Sequence, residues 1–193
     1  MVQRKELSGP IWVARFPGSR SLDDLVDPFK GQAKALMKAL LDAGCTVTVA
    51  STFRPPERAW LMHHSAAIVG QGMRPEDVPV HPKIDIEWVH RDDAGRIDRA
   101  KSRSSALQMV QGYQIDPSSP LPALASRHTE GKAIDMAITW SGILHIRESG
   151  GAMREIAEEP RTGLNSGLQN VGRGYGVIKA LFRDDPHWSS DGH

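Results

Sequence analysis

The chain has 193 residues, with 24 basic and 23 acidic side chains and a formal net charge of +1, so its composition gives no indication of a nucleic-acid partner. Its single cysteine, Cys45, excludes an intramolecular disulfide framework, and no apolar run reaches the length of a membrane helix. The size suits one globular domain with a substantial core.

The first third of the chain predicts two helices separated by a strand. In chain order, the predicted elements are an extended arm over 1–21, a helix over 28–43, a strand over 45–50 and a helix that begins at 55–56. The first helix ends at Gly44 and carries one apolar stripe, made of Phe29, Ala33, Leu36, Met37, Leu40 and Leu41. The second begins with two prolines, which the first turn of a helix accepts. Trp12 and Phe16 give the arm apolar side chains for packing.

The rest of the chain predicts an irregular insertion followed by the remaining strands. In chain order, the predictions are an insertion over about 70–125 with a strand or turn over 84–89 and a helix over 96–113, a strand over 133–139, a helix between roughly 153 and 171, and a strand over 177–179 entered through a glycine-rich turn. The expected fold class is therefore α+β, a small antiparallel sheet with flanking helices.

Two short segments contain the residues with the clearest chemistry. Residues 126–135 read SRHTEGKAID, and residues 184–188 read DDPHW. They supply His128, Asp135 and His187, three residues of metal-ligand type, together with carboxylates just before the last histidine. Catalytic zinc sites use three protein ligands and keep the fourth position for water or substrate. A nearby carboxylate is suited to general-base chemistry.

The spacing around Asp135 predicts how the chain presents it. Ile134, Met136 and Ile138 alternate with small or polar residues, which is typical of a strand with one face in a core. Asp135 then lies on the opposite face. Gly131 comes between His128 and this strand, where the chain must bend sharply to bring His128 back over Asp135.

The pattern Ser-x-His-x-x-Gly-x-Ala-x-Asp, followed by carboxylate-x-x-His-Trp, resembles the zinc D,D-peptidase family of peptidoglycan. That family includes VanX- and VanY-type D-Ala-D-Ala peptidases and phage L-alanyl-D-glutamate endopeptidases. A third match is the segment 47–58, VTVASTFRPPER, which resembles the first strand, arginine and helix of those enzymes. The three matches occur in the family's order and span residues 45–188.

The resemblance implies a role for each matching residue. His128, Asp135 and His187 match the ligands of one Zn²⁺ ion, and Asp184 matches the catalytic carboxylate, which spacing favours over Asp185. Arg54 matches the arginine that binds substrate and supports the polarised carbonyl, and Ser126 matches a serine that contacts substrate. We expect Trp188 to pack beside the site and also to bind substrate. The implied fold is a single zinc-peptidase domain of the D-Ala-D-Ala peptidase and Hedgehog type over residues 1–193.

The resemblance also implies a function, a zinc metallopeptidase that hydrolyses a peptidoglycan stem or cross-link peptide bond involving a D-amino acid. The expected partners are peptidoglycan stem peptides, with no nucleic acid, no membrane insertion and a monomeric state. The long segment between Arg54 and Ser126 departs from a minimal family member and leaves exo- versus endopeptidase action open. Alternatives are a non-catalytic zinc-fold module that binds wall peptides, a docking component of a phage tail or secretion spike, and a cytoplasmic D-Ala-D-Ala dipeptidase.

The N-terminus has no apolar region or cleavage site of a secretory signal. We therefore expect synthesis in the cytoplasm and delivery to the cell wall or periplasm by phage lysis or a secretion system.

The other histidines give weaker signals. His63 and His64 are expected to be surface or helix-packing residues, and His145 a strand residue. A second metal site built from His81, Asp85, Glu87 and His90 has no spacing rule to support it.

Overall fold

The computed structural model describes residues 5–116, 119–179 and 186–193. The strands and α-helices in these ranges are β1 (Glu6–Leu7), α1 (Phe29–Asp42), β2 (Thr46–Ser51), α2 (Pro56–Gly70), β3 (Ile86–Glu87), α3 (Arg99–Gly112), β4 (Ala133–Thr139), β5 (Leu144–Arg147), β6 (Met153–Ile156), α4 (Ser166–Gly174) and β7 (His187–Ser189). The described residues thus form a mixed α and β structure with four α-helices and small, mostly antiparallel sheets, which agrees with the predicted class.

The chain divides into two compact units, each made of two segments. We name Gly18–Arg54 with Ser126–His193 the sheet unit, and the residues up to Pro17 with Pro55–Ala125 the helical unit. The sheet unit contains the three-stranded sheet β2-β4-β7 and the hairpin β5-β6. The helical unit contains α2, α3 and the short parallel pair β1-β3. That the whole chain forms one domain stays a prediction.

Helix α1 covers the core of the sheet unit through its apolar stripe. Its buried residues recur at helical spacing, as the sequence predicted, and are Phe29, Ala33, Leu36, Ala39 and Leu40. Leu41, which was included in the predicted stripe, is exposed instead. The helix ends where Gly44 adopts a positive φ of 82° and donates its N–H to the carbonyl of Leu41.

The sheet that holds the candidate site is antiparallel throughout. Strand β4 lies in the middle, with β2 on one side and β7 on the other. The register between β2 and β4 shifts between Val49 and Ser51, which marks a β-bulge at the end of β2. A bulge bends its strand locally, and here it precedes the loop that contains Thr52 and Arg54.

The helical unit has a core of its own. Trp12, Trp60, Trp88 and Met109 pack in one buried cluster, so the predicted arm and the predicted insertion share one core. The predicted helix over 96–113 is observed as α3, three residues later at its start, where the Asp98 side chain accepts the N–H of Lys101 and caps the helix.

Two secondary-structure predictions were wrong. The helix expected between 153 and 171 is the strand β6 followed by a loop and then α4, which begins only at Ser166. The glycine-rich stretch expected to form a turn lies mostly inside α4, and the strand expected over 177–179 is reduced to an isolated pairing of Ile178 with Ser189. None of the helices in the described ranges combines the length and hydropathy needed to cross a bilayer.

Candidate metal centre

Strand β4 presents Asp135 on the face away from the main core. Ile134, Met136 and Ile138 are each at most 2% exposed, whereas the Asp135 side chain is 20% exposed. The predicted alternation is therefore confirmed. In the sheet register, Asp135 pairs with Ser51 on β2 and with His187 on β7.

The pairing of β4 with β7 brings Asp135 and His187 together. The N–H of Met136 donates to the carbonyl of Pro186 at 2.7 Å, so those two residues form a hydrogen-bonded pair. The next pair along the ladder, Asp135 with His187, is then a non-hydrogen-bonded pair. In such pairs the Cα atoms approach to about 4.5 Å and the two side chains point to the same face. The strand register alone thus places two of the predicted ligands side by side.

The third predicted ligand, His128, arrives from a tight loop before β4. The Gly131 N–H donates to the His128 carbonyl at 3.2 Å, and Gly131 has a positive φ of 69°. That backbone conformation is strained for residues with a Cβ, which explains the glycine. A Cβ there would also lie 3.2 Å from the Val26 side chain. The sharp bend predicted at Gly131 is therefore confirmed.

The three side chains converge on one point. His128 Nε2 lies 3.1 Å from Asp135 Oδ1 and 3.3 Å from His187 Nδ1, and His187 Nδ1 lies 3.1 Å from the same Asp135 oxygen. Among the residues that the structure describes, this is the one group of three or more His, Cys, Asp or Glu side chains with ligand atoms close enough to share a metal ion.

Main-chain oxygens fix which nitrogen of each ring faces the centre. His128 Nδ1 lies 2.7 Å from the Thr52 carbonyl, and His187 Nε2 lies 3.2 Å from the main-chain oxygen of His193. Because a carbonyl oxygen only accepts, each of these nitrogens carries the proton and donates it. In the neutral rings, His128 Nε2 and His187 Nδ1 then keep lone pairs that face Asp135. This is the arrangement found around metal-binding histidines.

The electrostatics of Asp135 agree with a charged carboxylate. Burial by itself raises the pKa of this group, but hydrogen bonds from His128 and His187, donated when these rings carry a second proton on the nitrogen that faces Asp135, outweigh that effect and hold the pKa well below its usual range. His128 is 5% exposed and His187 is 8% exposed. A charged oxygen and two imidazole nitrogens in a mostly buried place can hold a divalent cation.

Two of the other predicted site residues, Arg54 and Ser126, lie in or beside the loop that contains His128. The Arg54 N–H donates to the His128 carbonyl at 3.1 Å, which puts the Arg54 backbone beside the ligand loop. Ser126 opens that loop, and its buried Oγ has no hydrogen-bond partner within the described ranges. Asp184 and Asp185 lie outside the described residues.

Trp188 supports the site from the core side. It is fully buried and belongs to the main cluster of the sheet unit, on the opposite face of β7 from His187. A Cβ added at Gly172 would lie 2.7 Å from the indole, which shows how closely α4 packs on it. The predicted packing role fits this place. The predicted substrate contact does not, because a fully buried indole has no surface to offer.

Sequence reasoning missed three groups that hold the ligands in place. Two are the main-chain oxygens of Thr52 and His193, which no residue-type pattern reveals. The third is Lys179, which is 3% exposed, donates to the His187 carbonyl at 3.3 Å and lies over the Trp188 ring. In the sequence, Lys179 directly follows the apolar residues Val177 and Ile178, and this position is the one feature that could have indicated a buried lysine.

The weaker metal prediction in the helical unit is not supported. His81 Nδ1 accepts the N–H of Lys83, His90 Nε2 pairs with the Ser8 hydroxyl, and Glu87 accepts the N–H of Val89. These side chains therefore serve separate local contacts, and with Asp85 they do not form a close ligand group in the part of the chain described.

The sheet unit thus contains a His-Asp-His centre of a kind that can bind a metal ion. Comparison with known protein families finds no match to this chain, and comparison with curated proteins finds no significant match. The chemistry proposed below is therefore argued from the geometry of the centre and from the sequence motifs.

Proposed function

We propose that the chain is a zinc-dependent peptidase that hydrolyses a peptidoglycan peptide bond involving a D-amino acid. The observation that carries the proposal is the convergence of His128, Asp135 and His187, in which one nitrogen of each ring lies close to the same carboxylate oxygen. In a tetrahedral zinc site, ligands at about 2.0–2.2 Å from the metal lie about 3.3–3.6 Å from one another. The separations of 3.1–3.3 Å between the three ligand atoms come close to that spacing.

The composition of the ligand set favours zinc over harder cations. Two imidazole nitrogens with one carboxylate suit zinc and other first-row metals, whereas Mg²⁺ and Ca²⁺ prefer sites built from oxygen atoms. Three protein ligands are typical of catalytic rather than structural zinc sites. A zinc ion held there supplies Lewis acidity and lowers the pKa of a bound water molecule to about 7.

The remaining roles fall to the chain's own side chains. Asp184 acts as the general base that takes a proton from water and delivers it to the leaving amine. The Arg54 guanidinium binds the substrate and stabilises the charge that develops on the carbonyl oxygen, a contribution worth about a hundredfold or more in rate. Ser126 opens the loop that carries His128; its hydroxyl is buried, so the substrate contact that the motif assigns to it requires the loop to expose that oxygen. The sequence motif supports these three assignments.

The test is a digestion of purified sacculi by the zinc-loaded chain, with the products identified by mass spectrometry. New fragments from the wild type establish hydrolysis and name the bond: loss of terminal D-Ala indicates a carboxypeptidase, and cleaved cross-links or stems indicate an endopeptidase. We expect Asp184→Asn to lose at least about a hundredfold in rate, as removal of a general base does. The neighbouring Asp185→Asn serves as its matched control.

Other outcomes separate the alternatives. Sacculi that stay intact with zinc-loaded wild type contradict the lytic function. Cleavage of free D-Ala-D-Ala in that case identifies a dipeptidase, whereas binding to sacculi without any cleavage identifies a recognition module. Equal losses in Asp184→Asn and Asp185→Asn contradict the assignment of Asp184 by spacing.

A further inference from the structure

An ion pair joins the two segments that bring the histidines to the centre. Arg127 directly precedes His128, and Asp191 follows His187 by four residues. Arg127 Nε lies 3.2 and 3.0 Å from the two Asp191 oxygens, and Arg127 Nη2 contacts the second of them. Paired contacts between a guanidinium fork and a carboxylate fix direction as well as distance. The pair therefore ties the loop before β4 to the turn after β7.

The Asp191 carboxylate is also connected to His187, through the main chain of His193. Asp191 Oδ1 accepts the His193 N–H at 3.2 Å, and the His193 main-chain oxygen accepts His187 Nε2–H at 3.2 Å. Gly192 donates its N–H to the Ser189 hydroxyl at 2.7 Å and has a positive φ of 90°, which closes the turn. A chain of contacts thus runs from Arg127 through Asp191 to the nitrogen of His187 that faces away from the centre.

Arg127 is also held from the other side. Its Nη1 donates to both oxygens of Glu130 at 2.9 and 2.8 Å, and Glu130 in turn accepts from Lys132 at 3.1 Å. The guanidinium is thereby fixed between a carboxylate of its own loop and one of the facing turn. A guanidinium fixed on two sides cannot be replaced by an ammonium, which lacks the planar fork.

We propose that Arg127 and Asp191 are a positioning pair that sets the orientation of both histidines and so determines how tightly the centre binds metal. The inference rests on the metal centre of the proposed function and adds two residues that the sequence motif does not include. Neither residue touches the metal. Their effect comes through the loop of His128 and through the oxygen that orients His187. Substitutions of such outer partners typically cost about 10- to 100-fold in metal affinity.

The experiment measures Zn²⁺ affinity of the full chain by competition with a chromogenic chelator. We expect Arg127→Ala and Asp191→Ala each to bind zinc about 10- to 100-fold more weakly than wild type. Both substitutions remove the same Arg127–Asp191 contact. The double variant should therefore bind zinc no more than about threefold more weakly than the weaker of the two single variants. The control is Asp77→Ala, because Asp77 forms a two-pronged surface pair with Arg74 at 2.7 and 2.8 Å in the helical unit. It should leave affinity unchanged.

Two further variants separate positioning from general loss of structure. Arg127→Lys keeps the charge without the fork and should still weaken zinc binding. Gly192→Ala leaves both charges in place, strains the turn through its positive φ and should weaken zinc binding in the same direction. Urea unfolding of the metal-free ion-pair variants Arg127→Ala, Asp191→Ala and Arg127→Lys should resemble that of Asp77→Ala, since exposed ion pairs contribute little to stability.

The proposal is overturned if Arg127→Ala and Asp191→Ala bind zinc as tightly as Asp77→Ala does. It is also overturned if the losses of zinc-binding free energy in the two single variants add fully in the double variant. If Arg127→Ala does not fold, Arg127→Lys and Gly192→Ala decide the question. The assay contains no substrate, so it is separate from the peptidase test. If the wild type binds zinc but leaves sacculi intact, the proposed peptidase function is contradicted and the positioning role of Arg127 and Asp191 is not. If the wild type cleaves sacculi and the Arg127 and Asp191 variants keep the wild-type zinc affinity, only the positioning role is contradicted.

Discussion

Among the described residues, the sheet unit and the helical unit each bury two histidines, and they hold them differently. In the sheet unit, His128 and His187 each donate one ring N–H to a main-chain oxygen and turn the other nitrogen toward Asp135. In the helical unit, His64 and His90 are each 4% exposed. His90 pairs with the Ser8 hydroxyl, and within the described ranges neither ring nitrogen of His64 has a hydrogen-bond partner.

The comparison separates burial from ligand geometry. His64 packs edge-on against Trp60, and burial, with smaller contributions from His63 and His81, lowers its pKa to about 4. Burial also lowers the pKa of His90. Such rings stay neutral, but no carboxylate directs them to a common point. A metal-binding histidine needs both a fixed tautomer and a neighbouring ligand. Only the sheet unit supplies both within the part of the chain described.

The largest expected difference between the two pairs is in metal affinity. The apparent binding free energy of structural zinc, about 10–16 kcal/mol, is shared among four ligands, so one ligand contributes about 3 kcal/mol. We expect His128→Leu to weaken zinc binding by at least about a hundredfold. The same substitution in the helical unit, His64→Leu, should leave affinity unchanged. Equilibrium dialysis with metal analysis measures both, and equal affinities in the two variants would contradict the assigned centre.

The second difference concerns stability in acid. The folded pKa of His64, about 4, lies below its ordinary value of 6.5, so the unfolded chain takes up this proton first as the pH falls. The stabilisation due to His64 is therefore complete above pH 6.5 and is lost on acidification from pH 6.5 to about 4. The loss is about 3 kcal/mol in the free energy of unfolding.

Urea unfolding in the presence of a chelator, repeated across that pH range, checks this expectation. The stability of His64→Leu should fall less steeply between pH 6.5 and 4 than that of wild type. His145→Leu replaces an exposed histidine of β5 and serves as the surface control. If His64→Leu keeps the wild-type slope, His64 is not the group that titrates.

The parts of the centre that could be predicted from the sequence are those set by local periodicity. The alternation around Asp135 predicted the face of β4 on which it lies, and Gly131 predicted the bend that brings His128 back over Asp135. The orientation of the rings could not be predicted, because Thr52 and His193 contribute main-chain oxygens whose places depend on a β-bulge and a terminal turn. The resemblance pointed to the three ligands, and it carried no information about Arg127 and Asp191.

The errors in the predicted fold have equally local causes. The residues Ser149-Gly150-Gly151 were a readable hairpin signal, and Gly151 does adopt a positive φ of 91° before β6. Reading 153–171 as one helix ignored that signal. The common core of Trp12 with Trp88 depends on packing between segments far apart in sequence, which local patterns do not specify.

The smallest expected difference lies in how the two units cap their helices. Asp98 caps α3 in the helical unit through one exposed contact, Oδ1 to the Lys101 N–H at 2.9 Å. Asn165 caps α4 in the sheet unit, is 2% exposed, and makes two contacts: Oδ1 accepts the Leu168 N–H at 3.1 Å and Nδ2 donates to the Glu158 carbonyl at 2.7 Å. We expect Asp98→Ala to cost about 1 kcal/mol of unfolding free energy and Asn165→Ala about 2 kcal/mol.

Asn165→Ser divides the larger cost into its two parts. The serine hydroxyl keeps an acceptor for the helix N–H but cannot replace the amide that donates to Glu158, so its cost should fall near 1 kcal/mol, roughly half that of Asn165→Ala. Chemical denaturation of the metal-free chain measures all three variants. A serine variant as unstable as the alanine variant would mean that the contact to Glu158, and not the cap, accounts for the stabilisation at the start of α4. A buried cap would then contribute less than the exposed cap of α3.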